Sequence, residues 1–461
     1  MTRRNLLALA ATGAFAAERL NRAPISHETL KLNLPQAEPV KLPNGVTVLA
    51  MEDNRLPIAS VLFQIEGAGS IYSPKPGVAE LTAEMLTEGA GARSGKQIGD
   101  EASRLGAAIA VSAPSAAETV TIDGSGLTSR FDEWLDLLTS VVLHPTFPSD
   151  EFAGVKQRRI VQARVRSTSA PAIAADTAQR ALFGSHPAAN TAPAPEAVAA
   201  LTTDALAAWH RERYTPAKTV VSCIGRIKPA AFISKLEKVL SGWNTPSVNA
   251  TLPPNPPPLT TRRIVLVDLP GAAQTELVIG NLIFDRRDPD WFPLSIGSVV
   301  MGGGLSSRLT RILRYEKRYV YTVQNVFTAT RFAGFQQVRA NARTDATIET
   351  VSIILEQLRR MGDELIPATE LDAGKRAVVG NFALNLERPA TILNQSYLRY
   401  RYGFSLDYWD RYPARMTAVT SAEVQAVAQK YMDPNRVLIA AVGDASKIRA
   451  GLEKFGKVEL A

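Results

Sequence analysis

The chain has 461 residues, 46% hydrophobic and 21% charged, enough for two domains that each bury a core. Its net charge of +8 is scattered, and no Lys/Arg-rich run of the kind that tracks a phosphate backbone occurs, which argues against nucleic-acid binding. A single cysteine, Cys223, excludes an internal disulfide and is expected to pack as a small hydrophobe in a strand.

The chain opens MTRRNLLALAATGAFAAERL. Arg3 and Arg4 make a charged start, Leu6 to Ala11 a short apolar core, and Ala14-Phe15-Ala16 a small-residue cleavage signal. Residues 1–16 are therefore expected to be a secretory signal peptide, and the protein to be exported, periplasmic or secreted. The TRRNLL run faintly resembles a twin-arginine signal, so the export route stays open. No later stretch is long and apolar enough to span a bilayer, so no membrane span is expected. Residues 17–35 form an N-terminal segment before the first domain.

NGVTVLAMED and ASVLFQIEGAGS alternate like two antiparallel strands joined at Asn54-Arg55-Leu56-Pro57. Then comes PGVAELTAEMLTEGA, in which Val78, Leu81, Met85 and Leu86 mark the buried face of a helix. Glu80, Glu84 and Glu88 fall one helical turn apart on it. Like charges at this spacing repel, so the stripe needs either solvent, a cationic partner or a bound cation. Two carboxylates can touch one hard cation, but further ligands are wanted for a firm site; a solvated or partner-facing stripe is the plainer reading. GKQIGDEASRLGA reads as a helix leading into the strands AIAVSAPS and AAETVTIDGSG, and TSRFDEWLDLLTSVVLHP as a long amphipathic helix ending before Pro145.

Residues 244–262, NTPSVNATLPPNPPPLTTR, are Pro-rich and polar and form the best linker in the chain. It separates an N-terminal domain, 36–243, from a C-terminal domain, 263–461. Their ends echo each other. LTTDALAAWHRERYTPAKTVVSCIGRI and VTSAEVQAVAQKYMDPNRVLIAAVGDA both run from a Thr through an amphipathic helix, Tyr, Pro and a basic residue to an apolar strand and Gly. Thr203 and Ser421 are the expected N-caps, and a duplication is implied. The fold class expected is α+β, with two homologous domains, each an antiparallel sheet with helices mainly on one face.

Chemistry is sparse. His27, His144, His186 and His210 supply no H-x-x-H, H-E-x-x-H or H-x-x-E-H pair. GLEKFGKV has a phosphate-loop frame but ends in Val458 where a hydroxyl is needed, and it reads as a helix end. No G-x-S-x-G elbow is present.

Residues 36–450 nevertheless resemble a known family. The order NGVTV, LP, EGAGS, PGVAELTAEM, EGAGARS and LGA is similar to that of the insulinase/pitrilysin/mitochondrial processing peptidase family, which reads NG-x-x-V, LP, a strand ending in Gly-Ser, G-[LV]-A-H-x-x-E-H-M, EGT-x-x-R-S and LGA. There the H-x-x-E-H helix holds zinc and its Glu activates water. The resemblance puts Glu80 and Glu84 at the two His positions, Ala83 at the base position, and Gln162 at the third ligand, a Glu on a later helix. It thus implies no zinc site and no peptidase activity of this chain alone. In the second half, GGGLSSRL followed by LRYEKRYVY is similar to the family's GGG-x-SSRL…LR-x-x-K-x-x-x-Y. Gly302, Gly303 and Gly304 would form a glycine turn opening a helix, with Arg314 at the helix end and Tyr321 on the next strand. Arg318 stands where Gly is common. In the family this Arg/Tyr pair reaches across a closed chamber to substrate beside the zinc. The resemblance implies a non-catalytic subunit whose Arg314 and Tyr321 assist, and with Gly302–Gly304 bind peptide substrate for, a zinc-bearing homologous partner with an intact H-x-x-E-H. An inactive structural or peptide-binding scaffold is the alternative, and an unusual Glu80/Glu84 metal hydrolase a third possibility.

Overall fold

The computed structural model describes residues 28–247, 251, 252, 254, 256–331 and 334–461. The expected signal peptide, residues 1–16, lies outside the described residues, as do His27 and the first part of the segment 17–35.

The first half contributes six strands to one sheet: β1 (Val40–Lys41), β2 (Thr47–Glu52), β3 (Ile58–Glu66), β4 (Ala107–Ser112), β5 (Thr119–Leu127) and β6 (Thr219–Gly225). The second half does the same with β7 (Arg263–Asp268), β8 (Gln274–Leu282), β9 (Val320–Thr328), β10 (Phe335–Arg343), β11 (Leu438–Gly443) and β12 (Val458–Leu460). The spatial orders are β1-β2-β6-β3-β5-β4 and β12-β7-β11-β8-β10-β9, one five-strand topology used twice, with an antiparallel N-terminal edge strand added in the first half and a parallel C-terminal one in the second. The echo in the sequence is therefore a central strand of each copy and the helix that precedes it.

Two local readings are corrected. The expected hairpin of β2 and β3 does not pair; β6 lies between them, parallel to β2 and antiparallel to β3. Periodicity identified both strands, but a strand arriving some 150 residues later has no local signature. β6 is buried at every residue, as a strand covered on both faces must be, and its run TVVSCIG shows no alternation for that reason. The sheets are consequently mixed, since β7 and β11 are also parallel. The N-caps fall one residue earlier than expected: Thr202 accepts from Ala205 N–H and Thr420 from Glu423 N–H, the latter closing a capping box.

Helices α1 (Val78–Met85), α2 (Gly95–Arg104), α3 (Phe131–Leu143), α4 (Ser149–Thr168), α5 (Ala170–Phe183), α6 (Thr203–Arg213) and α7 (Pro229–Val239) belong to the first half. The second carries α8 (Trp291–Gly302), α9 (Thr347–Asp363), α10 (Ala368–Asn385), α11 (Pro389–Tyr402), α12 (Tyr412–Ala418), α13 (Ser421–Tyr431) and α14 (Ala445–Leu452). Each sheet packs one face on helices of its own half, around Trp134 and Leu81 in one and Met301 and Leu358 in the other. The opposite face of each is covered by a helix from the other half. Ala174, Ala178 and Leu182 of α5 pack on Val278, Leu438 and Ala440, and Ile392, Leu393 and Tyr397 of α11 pack on Leu49, Leu62 and Val220.

This exchange is locked by a polar cluster. Arg401 of α11, 5% exposed in its side chain, ion-pairs with Glu118 and, at 3.3 Å, with Glu66; it also donates to Thr119 Oγ1 at 2.7 Å. Tyr397 donates to Glu66 at 3.1 Å. Among the described residues, no helix is long and apolar enough to cross a membrane. The described part of 244–262 is neither helix nor strand, as its prolines require. The GLEKFGKV run goes from the end of α14 through Gly456 into edge strand β12.

Candidate functional site

Gly77 starts α1 in the left-handed region at φ 89°. A side chain there would also crowd Pro193 and Leu201, at 3.2 and 3.3 Å from an added Cβ, so glycine is demanded twice. The helix it launches is wedged against α4, α6 and β4 and is buried from Val78 to Ala83. Glu84 and Glu88 are only about a quarter exposed, with side-chain exposures of 26% and 25%, so the stripe is not left to solvent alone. α4 lays arginines along it. Arg159 Nε donates to Glu84 Oε2, and Arg158 Nη2 lies 3.9 Å from Glu84 and 3.6 Å from Glu88. The repulsion expected along the stripe is offset within the chain.

Glu80 is different. It is 7% exposed; Ser115 Oγ donates to its Oε1 at 3.4 Å, and its Oε2 has no hydrogen-bond partner. Burial raises its pKa above the ordinary carboxylate value, against weaker lowering by its hydrogen bonds and by Arg159. Glu80, Ser115, Arg159 and Gln162 line one pocket of about 540 Å³ at the end of edge strand β4.

Zinc wants three or four deprotonated N, O or S donors converging on one point. At the positions in question stand a carboxylate bonded to a serine, a carboxylate holding a guanidinium and a neutral amide, Gln162, while Ala83 is a buried methyl. The guanidinium of Arg159 supplies the positive charge that a metal ion would bring. These residues do not fit zinc. Among the described residues no group of three His, Cys, Asp or Glu could hold a metal ion.

The histidines have other work. His210 Nε2 shares a hydrogen bond with Val142 O at 2.8 Å, and burial lowers its pKa to about 4, so it stays neutral. His144 caps the end of α3, and His186 Nδ1 accepts from Ala188 N–H at 3.1 Å. Cys223 is buried in β6, as expected, its thiol pKa pushed up by burial.

The second set of residues lies elsewhere. Gly302 ends α8 rather than opening the next helix, which corrects the sequence reading. A Cβ on Gly302 would stand 2.5 Å from Asn325 N, so this glycine lets α8 close on β9, and one on Gly303 would stand 2.5 Å from Val299 Cα, so that glycine lets the chain fold back on the end of α8. Gly304 faces open space. The segment Thr310–Glu316 is π-helical, a feature without a sequence signal that recurs at functional sites. It carries Arg314, whose guanidinium lies 5.1 Å from the Tyr321 ring centroid and 5.6 Å from that of Tyr315. Tyr321, on edge strand β9, is 73% exposed. Among the described residues no acid pairs with Arg314. Gly302, Gly303, Gly304 and Arg314 line a pocket of about 330 Å³, which shares no residue with the Glu80 pocket. Arg318, between the pair, has φ 58°, so the backbone keeps the shape that glycine favours despite the side chain.

Fold and site together define a two-domain, metallopeptidase-like chain whose metal positions carry other residues. Residues 47–196 match the sequence model described as Insulinase (Peptidase family M16), and residues 200–378 match that of the Peptidase M16 inactive domain. The chain belongs to the insulinase family, peptidase family M16. Its relatives include the uncharacterized zinc protease YmxG of Bacillus subtilis, 23% identical over 351 residues, 75% of this chain and 83% of that one. Another is the non-peptidase homolog YmxG of Helicobacter pylori, 22% identical over 419 residues, 87% and 93% of the two chains. Among solved structures, the peptidase M16 inactive domain from Pseudomonas fluorescens superposes with a TM-score of 0.83 at 23% identity, covering 90% of this chain and 98% of that one.

Proposed function

We propose that this chain is the non-catalytic subunit of an exported heterodimeric zinc endopeptidase, binding peptide and completing the site of a zinc-bearing homologous partner. One contrast carries the reading. The metal positions of the first half hold Glu80, Ala83, Glu84 and Gln162, with Arg159 bonded to Glu84. In the second half Arg314 is half-buried and Tyr321 exposed, and among the described residues no acid engages the pair. Residues with no task inside this chain are positioned to act on something outside it.

Zinc, held by the partner, would supply the Lewis acid and the activated water. Arg314 would donate to a peptide carbonyl, and the Tyr321 hydroxyl to the oxyanion as charge develops there. Peptide is expected to add as a strand on a free sheet edge. β4, whose exposed and half-buried residues alternate, offers such an edge beside the Glu80 pocket. Export is supported by the signal-peptide pattern of residues 1–16.

The test is copurification with a homologous chain that has an intact H-x-x-E-H, followed by peptidase assay of the pair. Arg314→Ala or Tyr321→Phe should lower kcat by about 10²-fold or more, as loss of an oxyanion donor does. Unchanged activity in both variants removes the completing role. A second reading, a proteolytically inactive peptide-binding scaffold, is favoured by the Helicobacter relative named a non-peptidase homolog, which matches over most of both chains. Peptide binding by the isolated chain, with no zinc-bearing partner recovered, would select it.

A further inference from the structure

Arg286 follows β8 and is only 8% exposed, yet among the described residues no carboxylate pairs with it. The acids around it are engaged. Asp285 holds Arg287 at 2.7 Å. Asp290 holds Lys430 at 2.8 Å and the Tyr431 hydroxyl at 3.1 Å. Asp288 accepts from Asp290 N–H at 2.9 Å, and Glu423 closes its capping box with Thr420; both line the pocket and keep their charge, but neither ion-pairs with an arginine. The Arg286 guanidinium instead lies 3.8 Å over the Trp291 ring centroid, with the rings of Phe404 and Tyr408 at 5.2 and 5.9 Å. A second guanidinium, that of Arg415 on α12, stands 5.2 Å from Phe292 and 5.5 Å from the same Tyr408. Both arginines line one pocket of about 660 Å³.

A buried cation without a counter-ion is costly, and aromatic faces offset only part of that cost. Aromatic rings offer no carboxylate, and among the described residues the N–H edges of neither guanidinium have a hydrogen-bond or ion-pair partner. Those edges form the paired donors that suit a tetrahedral oxyanion. Two unpaired positive charges match a phosphate group, which carries close to two negative charges at neutral pH; a single carboxylate would leave one guanidinium uncompensated. We propose that the Arg286/Arg415 pocket binds a phosphate-class dianion, either free or as the ester of a small molecule. The pocket shares no lining residue with those of Glu80 and Arg314, and it stands or falls independently of the peptidase-subunit reading.

The experiment is calorimetric titration and thermal melting of the full chain with inorganic phosphate and with glycerol phosphate, at constant ionic strength against chloride. Saturable binding is expected to both, and the tighter of the two names the source. Arg415→Gln, at an exposed position that leaves the fold intact, should weaken binding about tenfold or more, the scale of losing one charge-assisted donor pair. Arg286→Gln should abolish it. Should Arg286→Gln fail to fold, Arg415→Gln decides alone. Stabilisation matched by chloride, or unchanged phosphate affinity in Arg415→Gln, would overturn the assignment.

Discussion

Arg159 Nε donates to Glu84 Oε2, joining the helix that carries the altered metal motif to the helix that carries Gln162. An internal cation thus neutralises the carboxylate that stands at the second metal-ligand position. With side-chain exposures of 39% and 26%, the pair is partly screened, so Arg159→Ala is expected to cost about 1 kcal/mol in urea unfolding. The same change should matter more in a grafted site. In a variant with Glu80→His, Ala83→Glu, Glu84→His and Gln162→Glu, Arg159 would oppose a second cation. Adding Arg159→Ala should then tighten zinc about tenfold or more, roughly 1.4 kcal/mol, by titration calorimetry. Equal zinc affinity with and without Arg159 would show that its charge does not govern the site.

Glu80 makes stability depend on pH in a stated direction. Its folded-state pKa is raised by burial from the ordinary 4.5, so between the two values the folded chain binds more protons than the unfolded one. Its contribution is fully present below about pH 4.5 and is lost as pH rises through the folded value. Glu80→Gln keeps an acceptor for Ser115 and removes the titration. The variant's stability relative to wild type should therefore climb with pH above 4.5 and then level off. Parallel stability curves for the two proteins from pH 4 to pH 8 would contradict this, in urea melts read at each pH.

Arg401 ties α11 to the other half's sheet through Glu66, Glu118 and Thr119. Removing one partner of a buried pair strands the other's charge, so Arg401→Ala should destabilise the fold by about 3–5 kcal/mol. Adding Glu118→Gln should restore part of the loss, since that side chain no longer carries charge. Chemical denaturation of wild type, both single variants and the double variant measures the coupling, and strict additivity would mean the two residues act separately.

Arg318 sits at φ 58° between Arg314 and Tyr321. A left-handed conformation costs a non-glycine residue about 1–2 kcal/mol, while glycine adds freedom to the unfolded chain. The balance predicts that Arg318→Gly stabilises by roughly 0.5–1 kcal/mol. A midpoint in thermal or urea unfolding lower than wild type would show that the arginine side chain makes a contribution larger than its strain.

Much of this architecture was legible in one dimension because its signals are local. The 3.6-residue apolar period marked α1 and α3, the alternation marked β4 and β5, and the Thr-helix-strand-Gly endings revealed a repeated unit. The absence of histidine and general base from the motif is likewise a matter of residue identity. Pairing was not legible: β6 inserts between β2 and β3 from far along the chain, and the π-helical turn under Arg314 leaves no compositional trace.

Sequence by itself determined the two halves, the glutamates at the ligand positions and the surviving Arg314 and Tyr321. Only tertiary structure decided what the acidic stripe faces, because Arg158 and Arg159 lie about seventy residues away on another helix, where charge pairing depends on distance in space. It likewise decided the exchange of α5 and α11 between sheets, and it left Arg286 without an ion pair among the described residues. Burial and the direction in which a side chain points are properties of packing, and no local pattern of residues specifies them.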